Sequence, residues 1–388
     1  MLTGKIVFAQ VVDWIHPQQF HRCVTRYHGD YKIRNFSCWD QFLAMAFAQL
    51  TYRESLADIE TCLRSHQDQL YRLGFRSSVA HSTLADANAS RDWRLYADLA
   101  QSLIRRARRL YAQEPLAVEL EQTVYALDST TIELCLSLFP WARFRRTKAA
   151  VKLHTLLDLR GPIPTMITIS DGKQADVRVL DELLPEPGAF YVLDRGYLDF
   201  QRLYRFELCA AFFVTRTKVG VKFNRLESHP VPPDTGVRSD QIIWLSNRHS
   251  IEHYPDRLRR VSYKDPETGK VLVFLTNNFE LPAVVIAQLY KCRWQVELFF
   301  KWIKQNLRIK HFFGTTDNAV KTQVWIAVCV SVLMAIVRKV LHLELSLSQI
   351  LQVLSVNAVE QVPLAELVAN TESPNMITDS PNQLMLWN

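Results

Sequence analysis

The sequence lacks a cysteine framework: its 7 cysteines (Cys23, Cys38, Cys62, Cys135, Cys209, Cys292, Cys329) are scattered and never spaced C-x-x-C. That excludes a disulfide-stapled scaffold and a structural zinc site. No Gly/Ser-rich or acidic low-complexity stretch interrupts the chain, and no internal repeat recurs at solenoid or propeller periods, so linker arrays and repeat architectures are set aside. Long apolar runs are missing too. The most apolar, Trp325 to Val337, falls short of the roughly 20 residues a membrane span needs, and a buried core helix is expected there. Met1 to Gln10 carries one Lys and an apolar patch too short for a signal-peptide core. A reduced, cytoplasmic protein with no membrane partner is the expectation.

What is present is apolar substance and positive charge. The 388 residues are 48% hydrophobic, enough for two or three domains with a sizeable core. The formal net charge of +7 suits a polyanionic partner. Basic residues cluster at Arg105-Arg106-Ala107-Arg108-Arg109, at Arg143-Phe144-Arg145-Arg146-Thr147-Lys148, and along Lys301, Lys304, Arg308 and Lys310. Each cluster reads either as a solvated helix face or as part of a nucleic-acid footprint.

Phe36 to Gln113 has helical periodicity, with Phe42, Met45, Ala46 and Leu50 at three and four spacing and a second run from Trp93 through Leu110. Ser55 is a candidate N-cap for the helix beginning beside it, and His81 to Asn88 forms a short second helix. The pair is compatible with a DNA-reading helix-turn-helix, although most such pairs are packing units only. Near Glu121 the composition changes. Val124 to Asp128, Val151 to Leu159 and Pro164 to Ile169 read as a three-strand meander. Next come a helix at Asp176–Leu184, a strand at Ala189–Asp194, a helix at Phe200–Leu208 and a strand at Ala210–Thr215. This describes a mixed α/β sheet with helices on both faces.

Lys218 to Lys270 breaks the rhythm with prolines and short β-like runs such as Gln241–Leu245, before Val271–Leu275 forms another strand. One long helix is expected from Pro282 to about Leu307, and another over Trp325–His342. The tail beyond Val368, with its Ser-Pro steps, lacks ordering signals unless Leu384, Leu386 and Trp387 dock. The expected organisation is a helical region at 1–120 that binds DNA, a catalytic core at 121–217 and 271–315, a β-rich insertion at 218–270, and C-terminal helices and tail at 316–388.

Asp128 and Asp194 each end an apolar strand, where a carboxylate is costly to desolvate unless a cation or donor meets it. Open α/β sheets place ligand sites at such ends, although either aspartate alone reads equally as a helix cap or loop acid. On the long helix, Tyr290, Arg293, Glu297, Lys301 and Lys304 recur at three, four and seven spacing and share one face, while Leu289, Val296, Phe299, Phe300, Ile303 and Leu307 cover the other. An amphipathic helix with Arg/Glu and Glu/Lys pairs has the same pattern.

Tyr290, Arg293, Glu297 and Lys304 match the Y-x2-R-x3-E-x6-K signature of the insertion-sequence-four family of DDE transposases. Asp194-Arg195-Gly196-Tyr197 resembles that family's element around the second aspartate, Asp128-Ser129-Thr130 its first-aspartate motif, and Phe213-Val214-Thr215-Arg216 the block after the second aspartate. The resemblance implies a ribonuclease-H-like fold in which Asp128, Asp194 and Glu297 are catalytic and hold two Mg²⁺ or Mn²⁺ ions. The gaps between the acids, 66 and 103 residues, leave room for the insertion in the second. Three converging carboxylates repel one another until cations arrive. Tyr290, Arg293, Lys301 and Lys304 would then hold DNA phosphates. Trp294 and Trp302 either stack on an unpaired base or pack in the core, and core is expected. His154 and His311 read as structural. The implied activity is cleavage at terminal inverted repeats and joining to target double-stranded DNA by a homodimer at the nucleoid. The alternatives are a nuclease of the same fold without strand transfer and a DNA-binding regulator derived from a transposase.

Overall fold

The computed structural model describes residues 4–307, 309 and 312–369. Arg308, Lys310, His311 and the tail with Leu384, Leu386 and Trp387 lie outside the described residues.

Among the described residues ten strands form one sheet. The first four are β1 (Val124–Leu134), β2 (Arg143–Arg145), β3 (Lys148–Asp158) and β4 (Ile163–Asp171). The others are β5 (Phe190–Leu193), β6 (Phe212–Arg216), β7 (Phe223–His229), β8 (Val237–Leu245), β9 (Leu258–Lys264) and β10 (Val271–Thr276). β3 lies antiparallel between β1 and β4, while β5 runs parallel to β1 and β6 parallel to β5. The order β4-β3-β1-β5-β6, three antiparallel strands and then two parallel ones, is the ribonuclease-H-like arrangement. β5 is buried at all its residues, as a strand covered on both faces must be, and its Phe-Tyr-Val-Leu run shows no alternation.

Two expectations are corrected within this core. β1 does not stop at Asp128 but continues through Ser129, Thr130 and Thr131 to Leu134, because β-branched residues on a half-covered face sustain the ladder with β3. The helix expected over Asp176–Leu184 is a 3₁₀ segment, Asp176–Asp181. Pro185 and Pro187 come soon after it, and a proline pushes the residue before it out of the helical region.

The strands of the 218–270 segment extend the central sheet. β10 pairs antiparallel with β6, β9 with β10, β8 with β9 and β7 with β8. Arg259 on β9 locks this wing to the segment after β10. Its Nε and Nη2 donate to Asp240 at 2.8 and 2.7 Å, and its Nη1 donates to the Leu281 carbonyl at 2.6 Å, just before the next helix begins. Asn277 accepts from the Phe213 amide and donates to Glu207 and the Ala211 carbonyl, which fixes the end of β10 against β6.

The single helix expected after Pro282 is two helices, Ala283–Lys291 and Trp294–Asn306. At the joint the amides of Arg293, Gln295 and Val296 bond three residues back, to Tyr290, Cys292 and Arg293. Such a tightened stretch is 3₁₀ geometry, and Arg293, whose guanidinium is drawn to two carboxylates, stands at its centre.

From Val7 to Tyr111 the regular elements are helices, beginning with Val7–Val12 and Pro17–Arg26 and including Leu56–Ser65, which Ser55 caps by accepting from the Asp58 amide, and His81–Ser90. Asp317–Val340 has the length and hydropathy of a membrane span, yet its most apolar window is 94% buried, as in a core helix. Every residue from Thr322 to Val337 is buried, and each large apolar side chain so placed contributes roughly 1.5–3 kcal/mol. Within the Arg105 cluster, Arg106 donates to the Trp14 carbonyl and Arg108 pairs with Asp158 and Glu186, so half of those cations serve packing. The two ends of the described chain meet: the Val7 and Phe8 amides bond the carbonyls of Glu360 and Ala358, and the buried Gln10 side chain bridges Val362 and Leu364.

Candidate active site at the strand ends

The first two acids are neighbours by register. Leu127 pairs with Leu193 across the parallel β1 and β5, so Asp128, within β1, and Asp194, the first residue after β5, lie side by side, with backbones about 4.8 Å apart by strand spacing. Asp194 also caps the 3₁₀ turn Arg195–Tyr197 by accepting from the Gly196 amide.

The third acid arrives with the jointed helix pair. Tyr290 is buried, packs its ring on Phe274 of β10, and points its hydroxyl at Asp194 Oδ1 at 3.4 Å. Burial pushes that hydroxyl up to about 12, so it stays protonated and donates. Arg293 reaches Asp128 Oδ2 through Nη1 at 2.5 Å and Glu297 Oε1 through Nη2 at 2.5 Å. Lys304 donates to the Thr131 carbonyl of β1 at 3.0 Å. Lys301 is exposed and, with Phe300 and Lys304, lines a 430 Å³ cleft whose floor is Asp128, Ser129 and Thr130 and whose rim carries Glu297. The structure therefore brings Asp128, Asp194, Tyr290, Arg293, Glu297 and Lys304 to one edge of the sheet, with Lys301 at the mouth.

The electrostatics are strained. Burial pushes the Asp128 carboxyl up to about 6; Arg293 pulls it down, and Asp194 and Glu297 push it further up. Burial works against the Arg293 charge, yet Asp128 and Glu297 hold the guanidinium above its ordinary range. Its buried Nε has no partner. Hard carboxylate oxygens suit a divalent cation, and a guanidinium now stands between two of them, so the donor chemistry fits while the position is held by an organic cation. Among the described residues no three acidic, His or Cys side chains are gathered closely enough to ligate an ion together.

Trp294 is 51% exposed, against the core placement expected for it, because at about 3.6 residues per turn it falls on the side of its helix opposite the buried Val296 and Ile303. Trp302 is partly buried with its indole nitrogen enclosed.

Sequence reasoning missed a polar group beside the acids. Ser129 Oγ donates to Asp176 Oδ1 at 2.9 Å, and Lys152 Nζ donates to the same oxygen at 3.0 Å. His154, directly across from Ser129 in the ladder, is fully buried, hydrogen-bonds Ser170 Oγ through Nε2 at 3.0 Å and has its Nδ1 3.9 Å from Asp176. Burial lowers its pKa, which keeps the ring neutral. Tyr197 is buried and faces Asp128 and Asp176, and burial raises its pKa. The available signal was the alternation Lys152-x-His154, two polar side chains on one face in the middle of β3.

A family model described as a transposase DDE domain matches residues 119–333, and one described as a domain of unknown function matches residues 3–76. A Sinorhizobium fredii protein named as a transposase is 34% identical over 267 residues, 67% of this chain and 72% of that one. A Geobacillus stearothermophilus protein named as a transposase for an insertion sequence element is 33% identical over 214 residues, 54% of this chain and 55% of its own. The piggyBac transposase synaptic complex with hairpin DNA overlays with a TM-score of 0.48 at 9% identity, covering 94% of this chain and 82% of that one.

Proposed function

The chain belongs to the DDE transposases, enzymes of DNA transposition whose catalytic domains use divalent metal ions, and from that premise we propose that Asp128, Asp194 and Glu297 are its catalytic acids. The observation that carries this is that Arg293 bridges Asp128 and Glu297 while Asp194 lies beside Asp128 across the β1–β5 ladder, next to a cleft lined by Asp128, Glu297, Lys301 and Lys304. The shared direction of Tyr290, Arg293, Glu297 and Lys304 supports membership of the insertion-sequence-four branch.

In this reading the enzyme binds the terminal inverted repeats of its element, cuts the 3′ strand and joins the freed end to target double-stranded DNA. The three acids would hold Mg²⁺ or Mn²⁺, two ions per site. The chemistry supplied there is activation of an attacking hydroxyl and stabilisation of the leaving oxygen at phosphorus. Arg293 neutralises Asp128 and Glu297 beforehand, and once released from them its planar fork suits a phosphate. Lys301 and Lys304 hold the backbone along the cleft, and Tyr290 keeps Asp194 oriented. Trp294, exposed beside Arg293, is available to stack on an unpaired base. Pairing two element ends requires two protomers, so the DNA complex is a homodimer at the nucleoid, with the helical region at 1–120 contributing to end recognition.

Asp128→Ala, Asp194→Ala and Glu297→Ala are each expected to abolish metal-dependent nicking while leaving DNA binding within a few-fold of wild type. Undiminished nicking in any of the three would sink the assignment.

A further inference from the structure

The Arg143–Lys148 cluster, which the catalytic reading leaves unused, sits in a rigid place. β1 runs past Asp128 to Leu134, and Leu134 and Arg143 both face Ala149 of β3. The basic tip therefore stands six residues along the strand from Asp128, about 20 Å at the rise of an extended chain. It is anchored on both sides. Trp141 donates its indole N–H to the Thr315 carbonyl at 2.7 Å, and Phe139 packs on Phe312, which ties the tip to the segment beyond the Glu297 helix. Phe144 lies over Gly172, where a Cβ would sit 2.6 Å from its ring, so the approach depends on glycine.

The cations are exposed and barely neutralised. Arg143, Arg145, Arg146 and Lys148 all face solvent, and among the described residues only Lys148 has a carboxylate partner, Glu133 at 3.3 Å. Lys301 and Lys304 line the cleft between Asp128 and this tip, so positive side chains continue from the acids to the arginines.

We propose that the 135–148 hairpin is a rail for the backbone of double-stranded DNA, with Arg143, Arg145 and Arg146 contacting phosphates about six base pairs from the one that is cut. The inference rests on the DNA-transposase reading of the cleft. The aromatic side chains of the hairpin are engaged, Trp141 with Thr315 and Phe144 with Gly172, so the contact rests on its exposed cations.

The test is a salt titration of full-length protein on a mixed-sequence duplex of roughly 30 base pairs, followed by anisotropy, because each phosphate contact adds about 0.9 to the slope of log affinity against log salt. The triple variant R143Q/R145Q/R146Q is expected to lose about 2.7 from that slope, with an unchanged melting temperature, and R143K/R145K/R146K is expected to retain it. A wild-type slope preserved in the glutamine variant would overturn the rail and leave the DNA reading standing. A flat response in the wild type would overturn both.

Discussion

Two arginine–aspartate pairs stand in two regions of this molecule and behave in opposite ways. Arg259 and Asp240, in the sheet's added wing, are 6% and 8% exposed, and all three guanidinium nitrogens find acceptors. Arg293 and Asp128, beside the end of β5, are 17% and 18% exposed, and here the arginine Nε is orphaned while the carboxyl is pushed up to about 6. The first pair is complete and fixes a β-wing to the start of the helix pair. The second shares its arginine with Glu297 and lies within reach of Asp194, so three negative groups meet one positive one. A satisfied buried pair serves the scaffold, whereas an unsatisfied one at a cleft is poised to exchange partners.

The comparison is broken most severely by Arg259→Ala. It strands Asp240 as a buried charge and is expected to cost about 3–5 kcal/mol, read as a fall in the denaturant midpoint. A loss below about 1 kcal/mol would show the wing pair to be no anchor. Arg293→Ala sharpens the contrast. Without divalent ion it is expected to cost about 1–3 kcal/mol, and added Mn²⁺ should raise its melting temperature more than it raises that of wild type, since the ion no longer competes with a guanidinium. Equal shifts in the two proteins would mean that Arg293 does not stand where the ion binds. The smallest effect is expected for Ser129→Ala. Losing the bond to Asp176 should cost about 1 kcal/mol of stability and leave the Mn²⁺-induced shift nearly intact. A vanished shift would instead make Ser129 part of the metal site.

The strands and the helical character of the stretch after Pro282 could be read directly because each is a local pattern: Phe190–Leu193 is a short apolar run, and the apolar residues from Leu289 to Ile303 recur at helical spacing, while the candidate acids stood out as carboxylates against such runs. What escaped was set by tertiary contact. The extension of β1 past Asp128 depends on pairing with β3, since Ser129-Thr130-Thr131 alone resembles a loop. The joint at Arg293 has no proline or glycine to announce it; it coincides with a side chain bound to two carboxylates, one of them 165 residues away. Asp176 was read as the start of a helix, and only the fold reveals Ser129 and Lys152 on its oxygen. The wing's membership of the central sheet rests on the β10–β6 ladder, in which Phe274 pairs with Arg216 across the whole intervening segment of chain.

The bonds that join Val7 and Phe8 to Ala358 and Glu360, with Gln10 clasping Val362 and Leu364, make the described polypeptide a closed loop in space. A ribosome therefore releases the Val7–Val12 helix well before its dock exists, since 352 residues separate Gln10 from Val362, and that segment must wait, unsatisfied, until the docking stretch has been made. A chain cut short before Ala358 would leave the Val7 and Phe8 amides without these partners and open that segment to proteolysis.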